Sequence, residues 1–369
     1  MRWIFPNGHA RPLRTQAIRS LLLVELTRLG DAVTLLHLLK ALRDAFPAAE
    51  FNAILERPFV GLLQELAPGI RFHGIGRPDR PPGVLRAILA ARRIRADLAV
   101  SVSPAYRNAA VVLASGSKFR AGYLRTGGSA APSLVANPVE GLGFAAPQGI
   151  TFFDEGWIER RWKLLELLGI RPHGAPGTFA LQGSVRERGM ARLREKNVVN
   201  GRPYIVVHPF SSWAFRSWPA EKFLFLIDRI LQELDHDVVV LGGTHEGEGL
   251  TLFKDRFSMS GRVSCFASDT FTESAVLIAT AALLVGNDSG PLHLASVLGT
   301  PAVGLYGPSD PRHTAPPSVK AIYHRVECSP CGQRRCVRPE HSCLWEISVD
   351  EVMSSLAELL PGGRVGGEN

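Results

Sequence analysis

Apolar residues run along this chain in two alternating rhythms. Residues 19–26 (Arg-Ser-Leu-Leu-Leu-Val-Glu-Leu) are a short, nearly unbroken apolar run ending in Thr27-Arg-Leu-Gly-Asp31. From Ala32 to Phe46 apolar positions recur at helical spacing until Pro47 stops them. A buried strand, a glycine turn and a helix account for that order. Further strands are predicted at Glu50–Leu55 and Asp97–Ser103. Buried strands alternating with helices predict a parallel sheet covered on both faces.

Residues 126–150 are rich in Gly, Ala and Pro without a period, which predicts a long loop. Residues 154–168 predict a helix stopped by Gly169, and Arg171-Pro-His-Gly-Ala-Pro-Gly177 the linker. The same grammar then restarts. Strands are expected at 204–208, 237–241, 282–286 and 301–306, with helices at 221–234, 272–281 and 291–298. The expected organisation is α/β, with two Rossmann-like doubly wound domains of residues 1–177 and 178–369. The second carries a cysteine-rich segment, 328–343, and a C-terminal helix.

Composition narrows the class. At 46% hydrophobic and 21% charged residues, the 369-residue chain is globular rather than disordered or fibrous. Its formal charge of +8 favours anionic partners: phosphorylated small molecules, an anionic membrane face or nucleic acid. No arginine-rich tail or aromatic-interleaved basic stripe supports nucleic acid. No apolar run approaches the roughly 18 residues of a membrane span, and the first twenty residues lack a signal-peptide core. A cytoplasmic protein, resting peripherally on the inner membrane face, is expected.

Chemistry concentrates in Val285-Gly-Asn-Asp-Ser-Gly-Pro-Leu-His293. A strand ends there, Asp288 or Ser289 can cap the next helix, and Pro291 suits its first turn. Amides at such a helix start attract phosphate, Gly290 leaves room for it, and His293 lies within the first turn. An ordinary strand-to-helix turn would read the same way.

The run Gly286 to Asp310 resembles the ADP-heptose:lipopolysaccharide heptosyltransferase family, glycosyltransferase family 9. Leu29-Gly-Asp-Ala-Val33, His208-Pro-Phe-Ser-Ser212 with Arg216-Ser-Trp-Pro219, and Gly242-Gly-Thr-His-Glu246 resemble its other motifs, in order. The stretch from Cys328 resembles the tail of the heptosyltransferase II branch. The resemblance implies a GT-B fold, two Rossmann-like domains facing across a cleft, and inverting transfer without a catalytic metal. It implies an ADP-sugar donor and a lipid A-linked core oligosaccharide acceptor, with no nucleic acid partner.

By that resemblance Asp31 is the base that takes the acceptor's proton. A helix N-cap carboxylate is the competing reading of the same spacing. Arg216 would stabilise the leaving diphosphate, where the family commonly has Lys. Ser211, Ser212, Glu246, Asp288, Ser289, Gly290 and His293 would bind the donor. Glu25 departs from the Arg that many members carry, at a position expected to face the acceptor.

Cys328, Cys331, Cys336 and Cys343 have spacing compatible with a four-thiolate structural metal site, with reduced thiols or a redox-sensitive disulfide as alternatives. The inferred chemistry requires no cofactor. A nicotinamide dehydrogenase should show Gly-x-Gly-x-x-Gly after its first strand, and an ATPase a Walker loop; neither is present. Three alternatives stay open: transfer of another sugar or to a protein, a sugar-nucleotide 2-epimerase, which would share the two-domain plan and donor chemistry, and a non-catalytic nucleotide-sugar-binding protein.

Overall fold

Leu21, Leu22, Leu23 and Val24 of strand β1 (Ser20–Glu25) are all fully buried. A strand apolar on both faces needs helices above and below it and strand neighbours on both edges. Both edges are filled by parallel strands, β2 (Glu50–Glu56) and β4 (Leu98–Ser101). The computed structural model describes residues 18–103, 105–125, 132–137, 161–162, 164–166, 168–171, 177–331, 336, 338 and 342–360.

The chain divides into two units, Met1–Gly177 and Thr178–Asn369. In the first, β3 (Ile70–Ile75), β5 (Phe119–Arg125) and β6 (Pro132–Asn137) complete a sheet of order β3-β2-β1-β4-β5-β6. All its pairs are parallel except β5 with β6. The helices are α1 (Leu29–Ala45), α2 (Val60–Leu66), α3 (Pro81–Ile94) and α4 (Tyr106–Ala114).

The second unit repeats the plan. Its strands are β7 (Tyr204–His208), β8 (Asp237–Gly243), β9 (Val263–Ser268), β10 (Leu283–Asn287), β11 (Ala302–Tyr306) and β12 (Val319–Tyr323). They lie in the order β12-β11-β10-β7-β8-β9, every pair parallel. The helices are α5 (Gly183–Glu195), α6 (Ala220–Glu233), α7 (Gly247–Arg256), α8 (Phe271–Ala279), α9 (Gly290–Leu298), α10 (Pro311–Thr314), α11 (Ser342–Trp345) and α12 (Val349–Leu359).

In each unit the first strand has its second and fourth strands as neighbours. That is the doubly wound order, and it opens a crevice beyond the carboxyl ends of the first and fourth strands. Glu25 ends β1 and Ser101 ends β4; His208 ends β7 and Asn287 ends β10.

The structure departs from expectation in two places. The stretch expected as a loop, 126–150, contains β6, whose alternating Ser-Leu-Val-Ala pairs antiparallel with β5; the rest of it lies outside the described residues. Helix α1 starts at Leu29 rather than Ala32, because the glycine turn is already helical. Of the helix expected over 154–168, residues 161–162 and 164–166 are helical and Leu168 is a turn; the others lie outside the described set, as do 172–176 of the expected linker. No described helix is long and apolar enough to cross a membrane.

Candidate active site

At the carboxyl end of the second sheet, Asn287 is fully buried and uses its whole amide. Its Oδ1 accepts from the Trp218 backbone N–H at 2.8 Å and its Nδ2 donates to the Pro209 carbonyl at 2.7 Å. The loop over 209–218, which carries Ser211, Ser212 and Arg216, is therefore tied at both ends to β10. A buried amide satisfied on both sides holds one geometry, since any shift strands a polar atom. Gly286 permits the close approach: a Cβ there would lie 2.7 Å from the His208 carbonyl oxygen.

Arg216 lies over the Trp213 ring, 4.5 Å from its centroid, with Trp213 stacked on Phe215. Its Nη1 is 3.9 Å from Asp288 Oδ2, and its Nε is buried without a hydrogen-bond partner. Asp288 thus anchors the guanidinium. Like-charge repulsion suits it to that task better than to meeting a phosphate directly.

Ser289 takes the N-cap position of α9 with Pro291 in the first turn and Gly299 as the left-handed stop. Its side chain makes no cap hydrogen bond, against expectation, and its hydroxyl is buried without a partner. The Tyr306 hydroxyl is likewise buried and unpartnered. Burial, then the Asp288 charge, pushes that phenol well above its ordinary value, so it stays a neutral donor. These two hydroxyls and the Arg216 Nε are closed off from solvent; what this region offers an anion is the part-exposed remainder of the Arg216 guanidinium and the N-terminus of α9. Gly290 opens α9, and His293 follows within its first turn.

The other expected donor residues divide. The Ser211 hydroxyl donates to the Trp213 carbonyl at 2.9 Å and accepts from its N–H at 3.2 Å, closing its own turn. Ser212 is exposed. Glu246 accepts from the Gly243 N–H at 2.8 Å, capping the turn after β8 with one carboxylate oxygen. His208 donates from Nδ1 to the Leu241 carbonyl at 2.9 Å, and burial holds its pKa low.

In the first unit, Asp31 does not cap α1; Arg28 holds that position and Asp31 lies in the first turn. Its Oδ2 accepts from the Thr27 hydroxyl at 2.8 Å, and its Oδ1 lies 3.8 Å from Arg161 Nη2. The side chain stays 46% exposed, so an incoming hydroxyl can reach it. Arg161, nearly buried, also donates to the Thr34 hydroxyl at 2.5 Å. Glu25 corrects the sequence expectation: it is wholly buried, so it cannot meet an acceptor directly.

The four tail cysteines carry free thiols. Burial first, then Cys331, Cys336 and Cys328, pushes the Cys343 thiol up to about 11. Their proximity is real, yet among the described residues no group of three or more His, Cys, Asp or Glu is arranged to hold a metal ion.

Sequence reasoning missed Asn287 as the loop's clamp and Arg161 as the partner of Asp31. Asn287 sits within the quoted motif, but its role depends on a loop distant in sequence. Arg161 had no local signal.

Comparison with known proteins bears on the family and the fold. The profile of glycosyltransferase family 9 (heptosyltransferase) matches residues 86–341. Lipooligosaccharide heptosyltransferase 2 of Campylobacter jejuni is 24% identical over 173 residues, which span 45% of this chain and 54% of that protein. Lipopolysaccharide heptosyltransferase 3 of Escherichia coli is 25% identical over 76% of this chain and 80% of its own. The structure of E. coli ADP-heptose lps heptosyltransferase II superposes with a TM-score of 0.69 at 19% identity, over 92% of this chain and 98% of that one. That likeness gives the fold, GT-B. With its profile matched over more than half the sequence, the chain belongs to glycosyltransferase family 9 (heptosyltransferase).

Proposed function

We propose that this protein transfers a heptose from ADP-heptose to a hydroxyl of the lipopolysaccharide inner core, with inversion at the sugar carbon. The observation that carries the donor half is the Arg216 guanidinium, 31% exposed and 3.9 Å from Asp288, the residue just ahead of the N-cap of α9. A diphosphate supplies acceptors for the guanidinium and the negative charge that the helix N-terminus favours. The names of the relatives, which are heptosyltransferases, supply the sugar class.

In the proposed reaction the second unit holds the diphosphate and the first unit accepts the proton. Asp31 takes the proton of the acceptor hydroxyl as its oxygen attacks the sugar carbon. The bond from that carbon to the diphosphate breaks, and Arg216 stabilises the charge that grows on the departing phosphate oxygens. Attack opposite the leaving group inverts the carbon. Ser212, Glu246, Gly290 and His293 are assigned to the donor. The net charge of +8 favours work on a lipid-linked anionic acceptor at a membrane surface.

The test is transfer by the purified protein from ADP-heptose to heptose-deficient lipopolysaccharide, followed by mass spectrometry of the product. The expected result is a gain of one heptose, lost in Asp31→Asn, whose calorimetric affinity for ADP stays within about twofold of wild type. Isomerisation of a free nucleotide sugar without transfer would reassign the protein as an epimerase. ADP binding without either reaction would make it a binding protein.

A further inference from the structure

Glu25 ends β1 in the interior, and the reaction above leaves it without a task. Donors ring its Oε1: the Thr27 backbone N–H at 3.1 Å, the Thr27 hydroxyl at 2.5 Å, the Ser103 hydroxyl at 3.0 Å and the Asn108 side-chain amide at 3.2 Å. Its Oε2 is buried without a partner. Asn108 is held in turn, its Oδ1 accepting from the Leu26 N–H at 2.9 Å and its Nδ2 also donating to Ser103 Oγ at 2.9 Å. This oxygen cradle is built from three places in the chain: the end of β1, the segment after β4, and α4.

The Thr27 hydroxyl stands between two carboxyls, 2.5 Å from Glu25 Oε1 and 2.8 Å from Asp31 Oδ2. A hydroxyl has one hydrogen to give. Once that hydrogen points at one carboxyl, the contact with the other is a hydrogen bond only if the second carboxyl brings a hydrogen. The row Glu25–Thr27–Asp31 is therefore complete with one shared proton, which can rest at either end. One end is buried and the other open to solvent.

We propose that Glu25 is the store for the proton that Asp31 takes from the acceptor, passed through the Thr27 hydroxyl. The inference rests on the reading of Asp31 as the proton acceptor. The step starts with both carboxyls ionised and the Thr27 hydroxyl donating to Glu25. The acceptor O–H breaks and its hydrogen joins Asp31. Asp31 then gives a hydrogen to Thr27 Oγ1 while Thr27 gives its own to Glu25 Oε1. One hydrogen has moved from the acceptor oxygen to Glu25, and Asp31 and Thr27 are restored. The electron pair of the broken sugar–phosphate bond leaves with the diphosphate.

The surroundings favour this direction. The charged groups acting on Glu25 are Asp31 from α1, which opposes its ionisation, and Arg161, which favours it. Arg107 of α4 is directed to the Leu26 carbonyl. Burial first, then the Asp31 charge, pushes Glu25 from 4.5 up to about 7, so it holds a proton more tightly than a solvated carboxylate does. Glu25 touches no substrate; it acts through Asp31.

The experiment is the profile of kcat/KM for transfer between about pH 5 and 9 in the full chain, with saturating donor. Wild type is expected to rise to a plateau with its inflection near that of Glu25, about 7. Glu25→Gln and Thr27→Val should each shift the inflection down and lower the plateau about tenfold, since the buried proton store is cut off. KM for the donor should stay within about twofold in both. Thr27→Ser, which restores the hydroxyl, should restore the wild-type profile. Thr27→Val leaves Glu25 in place and carries the test if Glu25→Gln fails to fold. Wild-type profiles in Glu25→Gln and Thr27→Val, with Asp31→Asn inactive, would overturn the relay alone. Full activity in Asp31→Asn would overturn the base assignment beneath it.

Discussion

Asn287 has neither charge nor reactive atom, yet two backbone groups of the Arg216 loop depend on it. Asn287→Ala should destabilise the protein by about 2–4 kcal/mol, because it leaves the Trp218 N–H and the Pro209 carbonyl buried and unpaired. Thermal unfolding measures that loss, and calorimetry should show weaker ADP binding as the loop loosens. The sequence marks Asn287 only as part of a motif; its partners lie 69 and 78 residues away, so no local pattern reveals them. Glu25 misled for the related reason that burial is a property of the sheet. Its raised pKa has a definite sign in stability. The folded state holds the proton up to about 7, against 4.5 for the ordinary carboxyl. The stabilisation from protonation is complete below 4.5 and declines as pH rises to about 7, at roughly 1.4 kcal/mol per pH unit. Urea unfolding at several pH values should show that slope in wild type and not in Glu25→Gln.

Elements were legible where burial and period agree. Strand β7 falls on the predicted residues, and α9 ends at Gly299, whose φ of +76° suits glycine. Strand β6 was hidden because its neighbourhood is rich in Gly, Ala and Pro and its pairing is with one edge of a sheet. The candidate site was legible as a helix mouth, but the placing of Arg216 by Asp288 and Trp213 was not. Arg216 tests that element directly. Its guanidinium is placed by Asp288 and the Trp213 face, a geometry that a lysine ammonium does not reproduce. Arg216→Lys should lower kcat by roughly 10- to 100-fold, and Arg216→Ala further, as seen in single-turnover transfer assays.

At the scale of the molecule, the two sheets share one strand order and each unit has its own buried strands. The second unit also folds its own tail back beneath the Arg216 loop. Trp218 Nε1 donates to the Ile347 carbonyl at 3.1 Å, and Lys222 Nζ to the same oxygen at 2.8 Å. Residues 178–369 expressed alone should therefore fold and bind ADP within about tenfold of the full chain, while catalysing no transfer. Loss of binding in a folded fragment, by calorimetry with circular dichroism, would show that the diphosphate site needs the first unit.

The stacking of Arg216 on Trp213 has an optical consequence. An indole under a guanidinium is a fluorophore whose surroundings change when the cation turns toward a phosphate. Titrating the wild-type chain with ADP should alter its emission, and Trp213→Phe should abolish the change while leaving the binding heat in place. The loop then reports its own occupancy, without a label.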